Sequence, residues 1–396
     1  MRANRCFTLL WAGQAISQLG SRTYGVAYML WVLAETGSLA ATGVVASVTL
    51  GVFTAAQLVA GWLADRCDRR WVMLGCDAAS AAAALSLCVA AAQDAFSLVH
   101  LLVAAVVLGA GWAIRGTAEL ASLPDVVAHT ELGRAAALNG ARGYAAGLLG
   151  PPLAGVLFAV APALPFLVDA VSYLAALLCT AAIRGPLRAQ VMPERESWTA
   201  ELRAGLRLFW DGRFIRASAA LDATVELAVS ALGLVVIVLL ADLDGGPSAV
   251  GLVLGLGSAG GLIGAALVAA RRRRALPARG VLILAPALGA LCVAGVAVAG
   301  SVVAVAIGYG AFFVLRPAWS SVLETQWLTL IDEEHRGRVL GSINLVTAAP
   351  LVAAPVLTGV LLELLGTRGT ALLLAALLAA VAAAATTLRP LRPRPV

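Results

Sequence analysis

Asp222 and Glu226 stand four residues apart inside a run of alanine, leucine and valine, so on a helix they share one face. Gln14, Gln18 and Arg22 repeat that spacing in the first apolar run, and Arg115 and Glu119 in another. Arg316 follows Tyr309 and Phe313 at helical spacing and precedes Ser320, with Trp319 nearby. Ionisable groups inside apolar helices are costly, and by default they mark a pathway for ions, protons or substrate. Desolvation opposes the charge of such an acid and a neighbouring arginine favours it. A ligand that disturbs the pair therefore changes proton affinity, which is coupling. A facing Arg22 and Glu226 pair would reduce the cost of both charges, and Asp222 is the next candidate acid. The plainer alternative is a static ion pair. Arg115 and Glu119 lie near one helix end, where long side chains reach water by snorkelling. The Arg316 face suits an aromatic or anionic ligand. Asp77 and Asp169 read as packing residues.

The elements that carry these residues must be solvated by lipid. The chain is 61% hydrophobic and 13% charged, against about 45–50% and about 25% for a soluble domain. Apolar stretches run near 7–33, 42–64, 71–92, 97–119, 138–160 and 164–183. A charged segment, 184–213, follows. Six more lie near 214–240, 248–270, 280–299, 302–323, 338–362 and 369–388. A 22-residue helix covers about 33 Å, enough to cross a bilayer with some tilt. The expected fold class is thus an all-α polytopic membrane protein of twelve transmembrane helices. Its parts are an N-terminal half (1–183), a partly helical linker (184–213) and a C-terminal half with a short tail (214–396). In the linker, Leu202, Leu206 and Phe209 fall at helical spacing between Trp198 and Trp210, as in a surface helix with interface anchors. The first stretch keeps Gln14, Gln18 and Arg22, so it reads as a helix of the mature protein and not as a cleaved signal.

Arginine placement sets the orientation. With both termini cytoplasmic, the inside receives Arg2, Arg5, Arg66, Arg69, Arg70, Arg134, the linker arginines, Arg271 to Arg274, Arg279, Arg336, Arg338 and the tail. The outside receives Glu35, Asp94, Asp242, Asp244 and Glu363, with Arg368 its only base. That pattern fits a multi-pass protein of the cell's cytoplasmic membrane. The positive charge of +6 then needs no nucleic-acid partner. All 28 basic residues are arginine, so the lysine of a phosphate-binding loop is missing and ATP-driven pumping by this chain is disfavoured. The six cysteines are scattered and His100, His129 and His335 do not cluster, so neither a disulfide framework, a metal site nor a cofactor is expected.

Residues 133–157, GRAAALNGARGYAAGLLGPPLAGVL, repeat at an offset of 204 as GRVLGSINLVTAAPLVAAPVLTGVL. Gly133-Arg134 matches Gly337-Arg338, Pro151 matches Pro355, and Gly155-Val-Leu matches Gly359-Val-Leu. Each copy reads as a loop Gly-Arg and the fifth helix of a half. Six-helix halves in parallel repeat, with a midplane site between them, are the plan of one large class of secondary transporters.

The stretch GWLADRCDRRWVML resembles the loop between helices 2 and 3 of the major facilitator superfamily. Gly61, Leu63, Asp65, Arg66, Arg69 and Arg70 match its pattern, and Asp68 stands where glycine is common. The opening NRCFTLLWAGQAISQLGSR, the 123–140 loop and FLVDAVSYLAALL resemble the drug and siderophore exporters of that superfamily, the macrolide-efflux and enterobactin-exporter type. On physical grounds the arginines offset the carbonyl dipole at a helix end, while Asp65 is out of place there. The resemblance implies that Asp65 ties a cytoplasmic gate to the opposite half. The second half keeps the basic run (271–274) without an equivalent acid. AGLLGPPLAG resembles the glycine-proline antiporter motif: Gly150, Pro151 and Gly155 match, while Ala146 and Ala154 replace glycines. It implies export by exchange.

The expected function is therefore proton-driven efflux of an amphipathic small molecule by a monomeric alternating-access transporter. A symporter for a small organic anion, using Arg22, Arg115 and Arg316, is one rival. A non-transporting membrane sensor on the same fold is the other. The direction and proton dependence of flux separate the three.

Overall fold

The computed structural model describes residues 5–127, 131–183, 207, 209–270, 277–331 and 336–387. Those residues form helices and their connections, without a strand. In chain order the helices are α1 (Arg5–Thr36), α2 (Leu39–Arg66), α3 (Arg69–Ala92), α4 (Leu98–Val126), α5 (Leu132–Val160) and α6 (Ala163–Ala181). Then come α7 (Arg213–Asp242), α8 (Pro247–Ala270), α9 (Ala278–Ala297) and α10 (Val302–Leu330). The last helical stretch, Arg336–Ala385, breaks at Gly366, whose φ of 67° is open to glycine at little cost. It is α11 before that break and α12 after it. The helix count and order follow the apolar stretches. Most of linker 184–213, Arg271 to Arg274, His129, His335 and the tail lie outside the described residues.

Short polar signals set the ends. Ser38, Ser97 and Ser301 cap α2, α4 and α10 by accepting from Ala41, His100 and Ala304 backbone N–H groups. Asp68 caps α3, its carboxylate accepting from Arg70 N–H at 2.9 Å. The residue that departs from the loop pattern thus has a local task. The repeat's Gly133 and Gly337 fall in the first turns of α5 and α11, inside helices and not in loops. Pro151 and Pro355 lie inside those same helices.

By length and composition, ten helical segments among the described residues suffice to cross a membrane, the last running through Gly366. α1 is not among them, because Gln14, Gln18 and Arg22 dilute its apolar surface. Large apolar side chains are exposed on many helices, among them Val99, Val160, Leu291 and Leu364. In water such a surface would aggregate; in lipid it is solvated.

Two compact units emerge from the packing. One comprises residues 1–193 with 245–255; the other comprises 194–244 with 256–396. α8 therefore gives its first turns to the first unit and its remainder to the second. The first unit's core is aromatic on one side, where Tyr24, Tyr28 and Trp31 of α1 meet Phe166 of α6. Within the second unit, Gly260 and Gly264 of α8 bring that helix onto the Gly310 and Val314 carbonyls of α10.

Candidate functional site

Two charged clusters lie inside the apolar units. In the first, α3, α4 and α5 each contribute. Arg115 Nε donates to Asp77 Oδ1 at 2.7 Å, and its Nη1 to Glu119 Oε2 at 3.1 Å. Arg142 Nη1 donates to Glu119 Oε1 at 2.8 Å. All four residues are buried, Asp77 completely. Arg115 and Glu119 therefore do not snorkel as their position suggested; they are enclosed and paired with one another. The quartet holds two arginines and two acids, so it is neutral as a unit. Arg142 was not anticipated as a site residue. The signal was present, since Asp77 and Glu119 outnumber Arg115 and a buried surplus acid calls for a cation. Among the described residues, Asp77 Oδ2, Arg115 Nη2 and Arg142 Nε have no hydrogen-bond partner.

In the second unit α7 and α10 meet. Arg316 forms an ion pair with Glu226, and its Nη1 stands 3.8 Å from Asp222 Oδ1. Trp319 Nε1 donates to that same Asp222 oxygen at 2.8 Å. Glu226 thus has an arginine of its own unit as a partner. Spacing placed Asp222 and Glu226 on one face, but it could not say which arginine the fold brings to that face. Beside this cluster is a pocket lined by Val225, Ala285, Pro286, Phe312, Leu315, Arg316, Trp319 and Leu378. Two acids here share one arginine, leaving one carboxylate in excess.

The α1 stripe is split between environments. Gln14 is buried and Gln18 half-buried, and the amide oxygen of each lacks a partner. Arg22 is exposed, its guanidinium 5.9 Å from the Trp112 ring centre. That distance suits a cation–π contact. Gly150 of α5 packs directly on Arg22, where a Cβ would collide with the Arg22 Cβ. Thr23 Oγ1 also reaches the Gly150 carbonyl, at 3.4 Å.

The other matched glycine of the antiporter-like motif also makes a backbone contact. A Cβ on Gly155 would strike the Pro247 carbonyl, and one on Gly251 would strike the Pro151 carbonyl. A Cβ on Gly255 would lie 2.9 Å from the Leu148 carbonyl, which loses its helical partner because Pro152 has no N–H. Small residues thus bring α5 and the first turns of α8 into backbone contact. By contrast a Cβ on Gly61 meets nothing within 4 Å. We expect Gly155→Val to cost about 1–3 kcal/mol through overpacking and Gly61→Ala to be silent. Thermal unfolding of the two purified variants in detergent checks both; equal midpoints would contradict the contrast.

At the end of the first unit that carries the loop motif, two arginines close helix C-termini. Arg69 is buried and donates from Nε to Ala64 O at 3.0 Å and from Nη1 to Ala121 O at 2.9 Å. Its Nη1 also pairs with Asp125 Oδ2 at 2.9 Å. Arg70 Nη2 donates to Ala181 O at 2.8 Å. The C-terminal turns of α2, α4 and α6 are therefore each met by a guanidinium, as the dipole argument requires. Arg66 is exposed and stacks 5.0 Å from the Trp62 ring centre. Leu63 contributes its carbonyl to the α2 cap, accepting from Cys67 N–H. The side chain of Asp65 lies outside the described residues, as does that of Arg134. Asp125 was not anticipated either.

A family model described as a transmembrane secretion effector, of the major facilitator type, matches residues 2–394. No curated protein matches. Solved structures with the same fold include a bacterial homologue of the human lysosomal transporter Spinster in an inward-facing, unoccupied conformation. It is 13% identical, with 97% of each chain covered and a TM-score of 0.79. The nucleoside transporter NupG is 11% identical over 96% of this chain and 98% of its own, with a TM-score of 0.76. A bacterial homologue of the iron transporter ferroportin, also inward-facing, is 16% identical over 97% and 99%, with a TM-score of 0.73.

Proposed function

From a chain that belongs to the transmembrane secretion effector family of the major facilitator superfamily, and so is a multi-pass membrane transporter, we propose proton-driven efflux of amphipathic small molecules by alternating access. The halves 1–183 and 214–396, joined by the 184–213 linker, rock about a central site as a monomer. Both termini face the cytoplasm and the bilayer is the cell's cytoplasmic membrane, as the arginine asymmetry favours.

The observation that carries this reading is the sharing of Arg316 between Asp222 and Glu226 beside an apolar pocket. One acid is in surplus. A proton resolves the surplus, and so does the cationic end of an amphiphile whose apolar part lies along Phe312 and Leu315. The two cannot resolve it together. Mutual exclusion at one site is what exchange requires, because each bound species must leave before the other enters. Gly150, Pro151 and Gly155 support the same reading by keeping the helices closely packed. At the arginine-rich end, Asp65, Arg66, Arg69 and Arg70 form the cytoplasmic gate, with Asp65 tying it to the opposite half.

Anion symport is less well supported. Arg115 and Arg316 are both engaged by carboxylates, which leaves Arg22 as the cation of that set free of an acidic partner among the described residues.

The test is efflux of ethidium from preloaded cells carrying this chain or an empty vector, with a panel of lipophilic antibiotics beside it. Each is measured with and without collapse of the proton gradient. Expected is faster efflux with the chain, lost when the gradient is lost. Efflux that persists without a gradient would sink the coupling, and no efflux of any compound would leave the sensor reading stronger.

A further inference from the structure

Asp169 of α6 is a fully buried acid that the mechanism above leaves unused and that, unlike Asp77, is in no ion pair among the described residues. It has no exposed surface, and among the described residues neither carboxylate oxygen has a hydrogen-bond partner. Its surroundings explain both facts. Gly20 of α1 presents bare backbone to it, and a Cβ there would lie 2.9 Å from Asp169 Oδ1 and collide with Ser172 Oγ. Phe166, one turn before it, and the adjacent Ala170 are both buried, in the same core as Ala27 of α1. The Ser172 hydroxyl is spent on the Asp169 backbone carbonyl at 2.7 Å.

The titratable groups facing this seam are few. From α1 come Tyr24 and Tyr28; from α6 itself comes Tyr173, whose hydroxyl is 3.0 Å from Ser21 Oγ. From α3 comes Asp77, already taken by Arg115. Among the described residues Asp169 has no basic partner, whereas of the other deeply buried acids Asp77 has one and Glu119 two. An ionised carboxylate in that position would forfeit its hydration with no cation in return among the described residues, and such groups neutralise instead. A neutral carboxyl carries an O–H that needs one acceptor. The Tyr24 hydroxyl, buried and also without a partner, stands on the same seam.

We propose that Asp169 is a second proton-binding site, separate from the Asp222 and Glu226 pair, loaded while α1 and α6 are packed together and unloaded when their seam admits water. On unloading, the carboxyl O–H bond breaks, the proton passes to water and a hydrated carboxylate remains. Reloading reverses the step. α1 also carries Gln14, Gln18 and Arg22, so a shift of α1 on α6 couples this proton to the helix that bears the polar stripe. The role in transport rests on the proton-driven reading; the existence of the loaded acid does not.

Infrared difference spectroscopy on the purified full chain in detergent tests it. Expected at neutral pH is a carbonyl band of a neutral carboxylic acid that Asp169→Asn removes and Glu226→Gln leaves in place. After transfer to deuterated water the band shifts slowly, at the pace of local opening and not of mixing. Absence of an Asp169-dependent band, or a shift complete on mixing, overturns the proposal. Proton-independent ethidium efflux would sink the transport reading while leaving this spectrum unchanged, so the two failures are told apart.

Discussion

Glu226→Gln should abolish gradient-dependent efflux while leaving the protein folded and in the membrane. The amide keeps the size and a hydrogen-bond acceptor for Arg316 but removes the charge that a proton or cation must answer. With Glu226 neutral, Asp222 and Arg316 balance one to one and the surplus is gone. The two acids are not equivalent. Asp222 is held by Trp319 Nε1 as well as facing Arg316, and its side chain is 14% exposed against 26% for Glu226. Glu226 is therefore the acid better placed to exchange with water, and Asp222 the one that fixes Arg316 and Trp319 in position. Coupling free energies of about 1–3 kcal/mol correspond to roughly 5–150-fold. We expect a loss of ethidium efflux rate in that range for Glu226→Gln, down to the empty-vector level. Asp222→Asn should slow efflux less and keep its dependence on the gradient. If the order is reversed, the exchanging acid is Asp222 and Trp319 is part of the switch.

Much of this architecture could be read from the sequence because lipid imposes a simple code. A helix in hydrocarbon must satisfy its own backbone, so long apolar runs between polar breaks have one interpretation. The run boundaries at 42–64, 71–92 and 248–270 fall within a few residues of α2, α3 and α8. Which residues pair is a different matter. Spacing on one helix put Asp222 beside Glu226 and Arg115 beside Glu119. It carries no information on the rotation of that helix against its neighbours, and so Arg142 and Asp125 went unseen, as did the pairing of Glu226 with Arg316. Asp169 shows a further limit. An acid near a helix end reads as ordinary, and it is the packing of α1 on α6, with Gly20 against the carboxyl, that helps remove it from water. The sequence marks Gly20 as small without indicating what it approaches.

The buried quartet of the first unit poses the question whether its charges are structural or functional, and one pair of variants separates the two. Arg115→Leu alone leaves Asp77 without its cation and Glu119 with Arg142 only. Breaking one side of a buried pair costs about 3–5 kcal/mol, because the remaining charge is stranded. We expect a large fall in the thermal unfolding midpoint in detergent and low yield. In the double variant Arg115→Leu with Asp77→Leu, the stranded acid is removed as well, and Glu119 and Arg142 remain a balanced pair. Replacing a buried ion pair by apolar groups is often neutral or stabilising, so the midpoint should recover. Efflux then decides the role. A stable double variant that still expels ethidium makes the Asp77 and Arg115 pair a static tie between α3 and α4. A stable double variant that does not would show that the pair's charges are needed in transport. The second outcome is the one the surrounding geometry favours, since Asp77 Oδ2 and Arg115 Nη2 are left unpartnered where a purely structural tie would have used them.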